Sequence, residues 1–176
     1  MLAFSNLRAL SFIGSADIVG SIITSVFWFF LASQLPPDEY GEIHYFIAIA
    51  MVASAFVIIA PQSSMIVFSA KKLKLESTFY FISLILTIIA SFVIMILFYK
   101  IDVVFLLFGY VLNTLAIGQL LGRKLFSSYS KYHLSQKILT ACLGLLFLQF
   151  YGSDGIILAL SLSYVLFIII VYKEIK

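Results

Sequence analysis

Long apolar runs alternate with short polar breaks along this chain. Stretches without a charged residue extend from Ile18 to Pro37, Ile43 to Ala70, Ser77 to Tyr99, Val103 to Gly122, Ile138 to Ser153 and Gly155 to Tyr172. Most approach the roughly 20 residues that carry a helix through bilayer hydrocarbon. The last two reach that length once Ser135 to Lys137 and Lys173 are placed at the interface, where long polar side chains extend toward headgroups. The runs are apolar at successive positions rather than at every second one. That excludes β-barrel strands and leaves helices, the other structure that satisfies every backbone group in lipid. The pattern predicts an all-α membrane protein, a bundle of six transmembrane helices at about 9–35, 42–70, 77–99, 102–122, 135–151 and 155–172, with residues 1–176 forming one domain.

Composition strengthens this picture, since 63% hydrophobic and 11% charged residues, with a mean hydropathy of +1.15, lie outside the range of water-soluble domains. The basic residues add a direction. With six crossings, Arg8, Lys71, Lys72, Lys74, Arg123, Lys124, Lys131, Lys137, Lys173 and Lys176 share one side, and Lys100 stands alone on the other. Positive charge is retained in the cytoplasm, so both termini are expected there. Adding or removing one span would scatter the later basic clusters over both sides. Asp38, Glu39, Glu42, Asp102 and Asp154 fall in the outer turns. The net charge of +3 thus reports topology and gives no reason to invoke nucleic acid; membrane lipids are the expected surroundings.

Tyr40, Tyr45, Tyr99 and Tyr151 near the outer span ends, and Tyr80, Tyr129, Tyr132 and Tyr172 near the inner ones, read as aromatic belts. The apolar stretch from Ala9 to Leu35 leads into no polar mature chain and reads as a retained helix rather than a signal peptide. The single cysteine, Cys142, can form no internal disulfide, and His44 and His133 lie on opposite sides, so no metal site or cofactor is implied. The outer turns are short, which predicts tight antiparallel hairpins. The one connection with room for structure is "GRKLFSSYSKYHLSQK", residues 122–137, whose mixed Lys, Leu, Phe and Tyr suit a short helix on the lipid surface, resting there or guiding a substrate.

The stretch "LASQLPPDEYGEIHYF", residues 31–46, interrupts the apolar pattern most sharply. Pro37 pre-sets φ for a first helical turn, Asp38 and Glu39 stand at the positive end of the helix dipole, and Gly41 leaves room for a neighbour. That accounts for a helix start. The order of residue types also resembles the loop between the first two helices of polysaccharide flippases of the multidrug/oligosaccharidyl-lipid/polysaccharide exporter superfamily. Ala32, Leu35, Pro37, Glu39, Tyr40 and Gly41 match that pattern, whereas Gln34 and Pro36 stand near the places of the usual Arg and Gly. "APQSSMIVFSAKK" is similar to the family's second-helix end, and the region from Gly122 to Phe167 to its fourth-to-sixth-helix region, with Gly155 in the place of the glycine that opens the sixth helix.

The resemblance implies the N-terminal lobe of a transporter with twelve or more helices, in the cytoplasmic membrane of a bacterium or archaeon. It implies a polyprenyl-linked glycan as substrate and alternating access without covalent chemistry, hence no enzyme activity. A second six-helix half would then come from downstream in the same chain, from a separate subunit or from a second copy, which an even number of spans would insert in the same orientation. A non-transporting scaffold or accessory subunit is the alternative. A membrane glycosyltransferase ranks third, because the outer turns are too short to build its site.

Few polar residues interrupt the spans. Asp17 lies about 13 Å along a helix from Arg8, where an ionised carboxylate must face protein or water. It can couple transport to H+ or Na+, or be solvated near the inner surface or paired with Arg8. Gln62, Ser63 and Ser64 follow Pro61, whose freed carbonyl makes either a gating joint or a kink absorbed by neighbouring hydroxyls. Asn113 and Gln119 are six apart, on poorly aligned faces, and suit hydrogen bonds to other helices. Arg8, Arg123 and Lys124 line the cytoplasmic rim and can attract anionic headgroups. No Lys or Arg lies inside a span, so the spans hold no clamp for a diphosphate. Gly14, Gly20 and Ser21 permit close helix contact.

Overall fold

The computed structural model describes residues 2–72 and 75–175, without the side chains of 2–10, 170–171 and 173–175. The fold is all-helical, with no strand among the described residues. Six helical columns form it: α1 (Leu2–Gln34), α2 (Pro37–Val57) continued by α3 (Gln62–Ala70), α4 (Glu76–Phe98), α5 (Ile101–Gly122), α6 (Phe126–Tyr151), and α7 (Gly155–Ser163) continued by α8 (Val165–Ile175). A 3-10 turn, Gly152–Asp154, joins α6 to α7. Five stretches are long and apolar enough to cross a membrane: Ser11–Gln34, Pro37–Val57, Glu76–Phe98, Ile101–Gly122 and Phe126–Ile169, the last passing through that turn.

Four expected boundaries change. The expected 42–70 helix is broken at Ile58–Ala60, because a residue before proline resists the α conformation and the helix stops ahead of Pro61 instead of bending through it. The 155–172 helix is interrupted at Tyr164, whose N–H bonds to Ser161 O at 3.2 Å in a tightened turn. The 135–151 helix begins at Phe126, so the presumed surface helix in 122–137 is the first part of α6. The first helix begins by Leu2 rather than near Ala9.

α4 turns mostly polar side chains inward and apolar ones outward. It buries Glu76, Tyr80, Ser83, Thr87 and Ser91, and turns Ile88, Ile89, Phe92, Val93 and Ile96 outward. The hydroxyls of Thr87 and Ser91 are satisfied within the helix, donating to Ser83 O and Thr87 O at 2.7 Å each. A helix in water buries the opposite set.

α5 is the central column, packed against α2, α3, α4, α7 and α8, and its Leu106, Leu107, Val111 and Leu115 are wholly buried. The expectation of a tight α1–α2 hairpin fails. α1 lies along α6, while α2 lies on α5 and buries Ile43, Phe46, Ile47 and Ala50. Each helix follows its complementary surface: Gly144 of α6 leaves the space that the Phe27 ring fills, and Gly20 of α1 lies against His133. α1 meets α2 near their shared turn, where the tilted His44 ring has its centroid 4.6 Å from those of both Trp28 and Tyr40.

Candidate functional site

Polar side chains gather in two clusters at the end that carries Lys71, Lys72, Arg123 and Lys124. The first joins α4 to α5. Glu76 opens α4 one residue after Leu75, and Arg123 follows the last turn of α5, so two antiparallel helices bring opposite charges level. Arg123 Nη2 donates to Glu76 Oε2, and Nε donates to Oε1 at 3.4 Å. One turn farther in, Gln119 Nε2 donates to Glu76 Oε2 at 3.1 Å, and Tyr80 Oη donates to Gln119 Oε1 at 2.8 Å. Glu76 is 7% exposed, Gln119 1% and Tyr80 0%. A carboxylate this deep is tolerable only because it accepts from a guanidinium and an amide together.

This placement sharpens two expectations. Gln119 does bond across to another helix, and in doing so it is committed to Tyr80 and Glu76. Arg123, expected as a free rim cation, is paired with a buried acid. Glu76 was not singled out by the sequence, where an acid beside three lysines reads as one more rim charge. Its sequence signal is that Glu76 and Arg123 open and close adjacent spans on the same side. Lys124 is exposed and caps α5 in the left-handed conformation (φ 59°), with Lys124 N–H on Leu121 O and Leu125 N–H on Leu120 O.

The second cluster joins α1 to α6. Tyr129 Oη donates to Asp17 Oδ1 at 2.6 Å, His133 Nε2 is 3.8 Å from the same oxygen, and the Ser130 hydroxyl donates to Phe12 O at 2.9 Å. The Asp17 side chain remains 48% exposed. Tyr129 and His133 stand on the first two turns of α6, which puts Asp17 near the end that carries Lys124. The side chains of Arg8, the partner suggested for Asp17, and of Lys173 are outside what the structure describes, as are Lys74 and Lys176 altogether.

Gln62 and Asn113 join neither cluster. Gln62 is exposed on the first turn of α3, and Asn113 is half-buried on α5; neither side chain makes a hydrogen bond among the described residues. Gln62 nonetheless stands at the α3–α5 contact, its carbonyl 3.1 Å from where a β-carbon on Gly118 would lie. The four residues expected around a transport path therefore occupy separate places. A further buried group was missed: Gln136 Nε2 donates to Thr140 Oγ1 and Ser163 Oγ at 3.0 and 3.1 Å, holding α6 to α7.

At the opposite end the motif residues act structurally. Pro37 is the first residue of α2, Asp38 and Glu39 occupy its first turn, and Tyr40 N–H closes on Pro36 O at 3.0 Å. Leu35 packs on the core, Tyr40 joins Trp28 and His44, and Gly41 borders open space. Lys100 clamps three turns, lying 3.4 Å from Asp154 Oδ1, 3.6 Å from Glu42 Oε1 and 5.2 Å over the Phe46 ring. Partial burial works against its ammonium, but the carboxylates of Asp154, Glu42 and Asp102 outweigh burial and leave its pKa above the ordinary lysine value.

No protein-family model matches this chain, and no curated protein or solved structure matches it.

Proposed function

We propose that this chain is a six-crossing membrane bundle with both termini in the cytoplasm, acting as one half of an exporter that moves lipid-linked oligosaccharide or polysaccharide precursors across the cytoplasmic membrane by alternating access. The inverted packing of α4 supports the membrane environment, and the likeness of residues 32–43 to a flippase loop supports the substrate class. One observation carries transport. Asp17, Gln62 and Asn113 stay wholly or partly uncovered on helices whose other uncovered residues are mostly apolar, and Gln62 and Asn113 lack hydrogen-bond partners among the described residues. Uncovered polar side chains within apolar helices, as Gln62 and Asn113 are, require water or a polar partner. A cleft closed by a second six-helix half supplies both.

The accessory-subunit reading draws on Gln119, which is consumed in a structural network and so is withdrawn from any cleft. Cysteine labelling separates the two. With Cys142, which is exposed, replaced by Ser, cysteines at Asp17, Gln62 and Asn113 are expected to react with a membrane-impermeant maleimide in inside-out vesicles, and one at Phe92 to stay silent. Protection of all three favours the accessory subunit.

Coupling to H+ or Na+ is assigned to Asp17. Asp17→Asn is expected to lower transport about ten-fold and flatten its dependence on pH or Na+, the size of one lost charge interaction. Transport that keeps its rate and ion dependence would remove Asp17 from the mechanism.

A further inference from the structure

α1 and α6 run side by side in the same direction. Phe12 O accepts from Ser130 at 2.9 Å, Asp17 meets Tyr129, and Phe27 fills the space at Gly144, so a step along one helix is a step along the other. Between those levels Gly20 opens α1 to two α6 side chains one turn apart. A β-carbon there would lie 3.2 Å from His133 Nε2 and 3.4 Å from Lys137 Cγ. Lys137, expected at the interface of the fifth span, stands about 16 Å along α6 from Phe126, within the apolar stretch that runs to Ile169.

This seam carries one charge of each sign. Lys137 is half-buried, and its ammonium has no hydrogen bond or ion pair among the described residues. Side chains on a helix lean toward its N-terminus, which directs Lys137 back over the turn that carries His133. The Asp17 side chain is 48% exposed; Oδ1 accepts from Tyr129, and Oδ2 has no donor among the described residues. His133 links the two levels, with Nε2 3.8 Å from Asp17 Oδ1 and its ring stacked on Tyr129 at 5.4 Å. An ionised group on an apolar helix needs a counter-charge. Asp17 and Lys137 face the same seam without forming an ion pair, so each is left to take one from outside the bundle.

We propose that the α1–α6 seam binds a zwitterionic phospholipid headgroup, one with a primary ammonium beside a phosphodiester, from the inner leaflet. The leaflet rests on the six-crossing reading above, which sets this end at the cytoplasmic surface. The headgroup ammonium donates to Asp17 Oδ2, and the phosphodiester accepts from Lys137. Asp17 is level with His133, one helical turn or about 5.4 Å from Lys137, a separation that the two-carbon link of ethanolamine covers. An acidic headgroup would set like charge against Asp17, and a quaternary ammonium has no N–H to give its carboxylate. A primary ammonium next to a phosphate satisfies both residues at once.

The test uses the full chain in nanodiscs of phosphatidylcholine, phosphatidylethanolamine and phosphatidylglycerol in equal amounts, with the lipids retained on the released protein counted by native mass spectrometry. Phosphatidylethanolamine is expected to exceed phosphatidylcholine about ten-fold, the size of one charge-assisted hydrogen bond. Asp17→Asn leaves Tyr129 an acceptor and is expected to bring that ratio to about one. Lys137→Met keeps the stem and is expected to lower retention of both lipids about five-fold. Lys137→Arg keeps the charge and is expected to bind as the native chain does, which separates a lost charge from a lost fold. Equal retention of phosphatidylethanolamine and phosphatidylcholine by the native chain, or an excess of phosphatidylglycerol, overturns the headgroup. A preference that survives both Asp17→Asn and Lys137→Met overturns the seam as its place. Orientation is read separately: in a Cys142→Ser background, Lys131→Cys at an exposed position is expected to react with a membrane-impermeant maleimide in inside-out vesicles. Reaction only from the opposite face overturns the six-crossing orientation, and with it the leaflet, whatever the lipid ratio.

Discussion

Glu76→Leu is expected to be the most damaging single substitution in the α4–α5 region. The side chain accepts from Arg123 and from Gln119, so its removal strands a guanidinium and an amide in one step. Removing one partner of a fully buried ion pair costs about 3 to 5 kcal/mol. Arg123 is 39% exposed and can turn part of its charge to water, which brings the expected loss to about 2 to 3 kcal/mol. Glu76→Gln keeps an acceptor in place and should lose about 1 kcal/mol, the net worth of a weakened hydrogen bond. The informative variant is the double one, Glu76→Leu with Arg123→Leu. It removes both charges together and leaves Tyr80 and Gln119 bonded at 2.8 Å, so most of the stability should return. Thermal unfolding in detergent, compared around the double-mutant cycle, measures this. A double variant no more stable than Glu76→Leu would mean that the pair contributes little and that the damage came from packing.

The six columns were legible because apolar runs of bilayer length are a property of composition, which needs no partner to be seen. The breaks inside two of them were not. Ile58, Ile59 and Ala60 are as apolar as any helical residue, so only the backbone restriction ahead of Pro61 marks the interruption, and hydropathy does not register it. Tyr164 carries no sequence mark at all; its break reflects the room that Gly109 leaves on another helix. Neighbour choice was equally hidden. A short turn at Leu35 and Pro36 suggests that α1 pairs with α2, yet the decision lies with surfaces far apart in the chain, Phe27 meeting Gly144 and Ile43 meeting α5.

The polar residues follow the same logic. Asp17 stands out as a carboxylate in an apolar run, whereas its partners Tyr129 and His133 are 112 and 116 positions away in a segment that reads as a short helix on the lipid surface. Glu76 escaped notice for the converse reason: beside Lys71, Lys72 and Lys74 its charge is unremarkable, and its burial exists only once α5 arrives. The cross-helix bonds expected of Asn113 and Gln119 divide: Gln119 makes them to Tyr80 and Glu76, whereas the Asn113 side chain has no partner among the described residues.

The contact between α3 and α5 supplies the second large effect. Gly118 and Gly122, four apart on one face of α5, receive α3 so closely that side chains are excluded. A β-carbon at Gly122 would lie 2.5 Å from Ile66 O, 2.6 Å from Ser69 Cβ and 3.0 Å from Ile66 Cα. Two of those atoms are backbone and cannot rotate away, so Gly122→Ala forces the helices apart. Overpacking of this kind costs about 1 to 3 kcal/mol, against a gain of up to about 1 kcal/mol from better helix propensity. The net expectation is a loss of about 1 to 2 kcal/mol. Gly144→Ala provides the contrast, since it meets only the far end of the buried Phe27 ring and no backbone atom, and its loss should be smaller than that of Gly122→Ala. Gly14→Ala meets nothing within 4 Å and should be neutral or mildly stabilising. The order of melting temperatures, Gly122→Ala lowest and Gly14→Ala highest, is therefore set by what faces each glycine rather than by the substitution itself. If Gly122→Ala and Gly14→Ala melt together, α3 does not lie against α5 at Ile66, and the break ahead of Pro61 loses the contact that it serves.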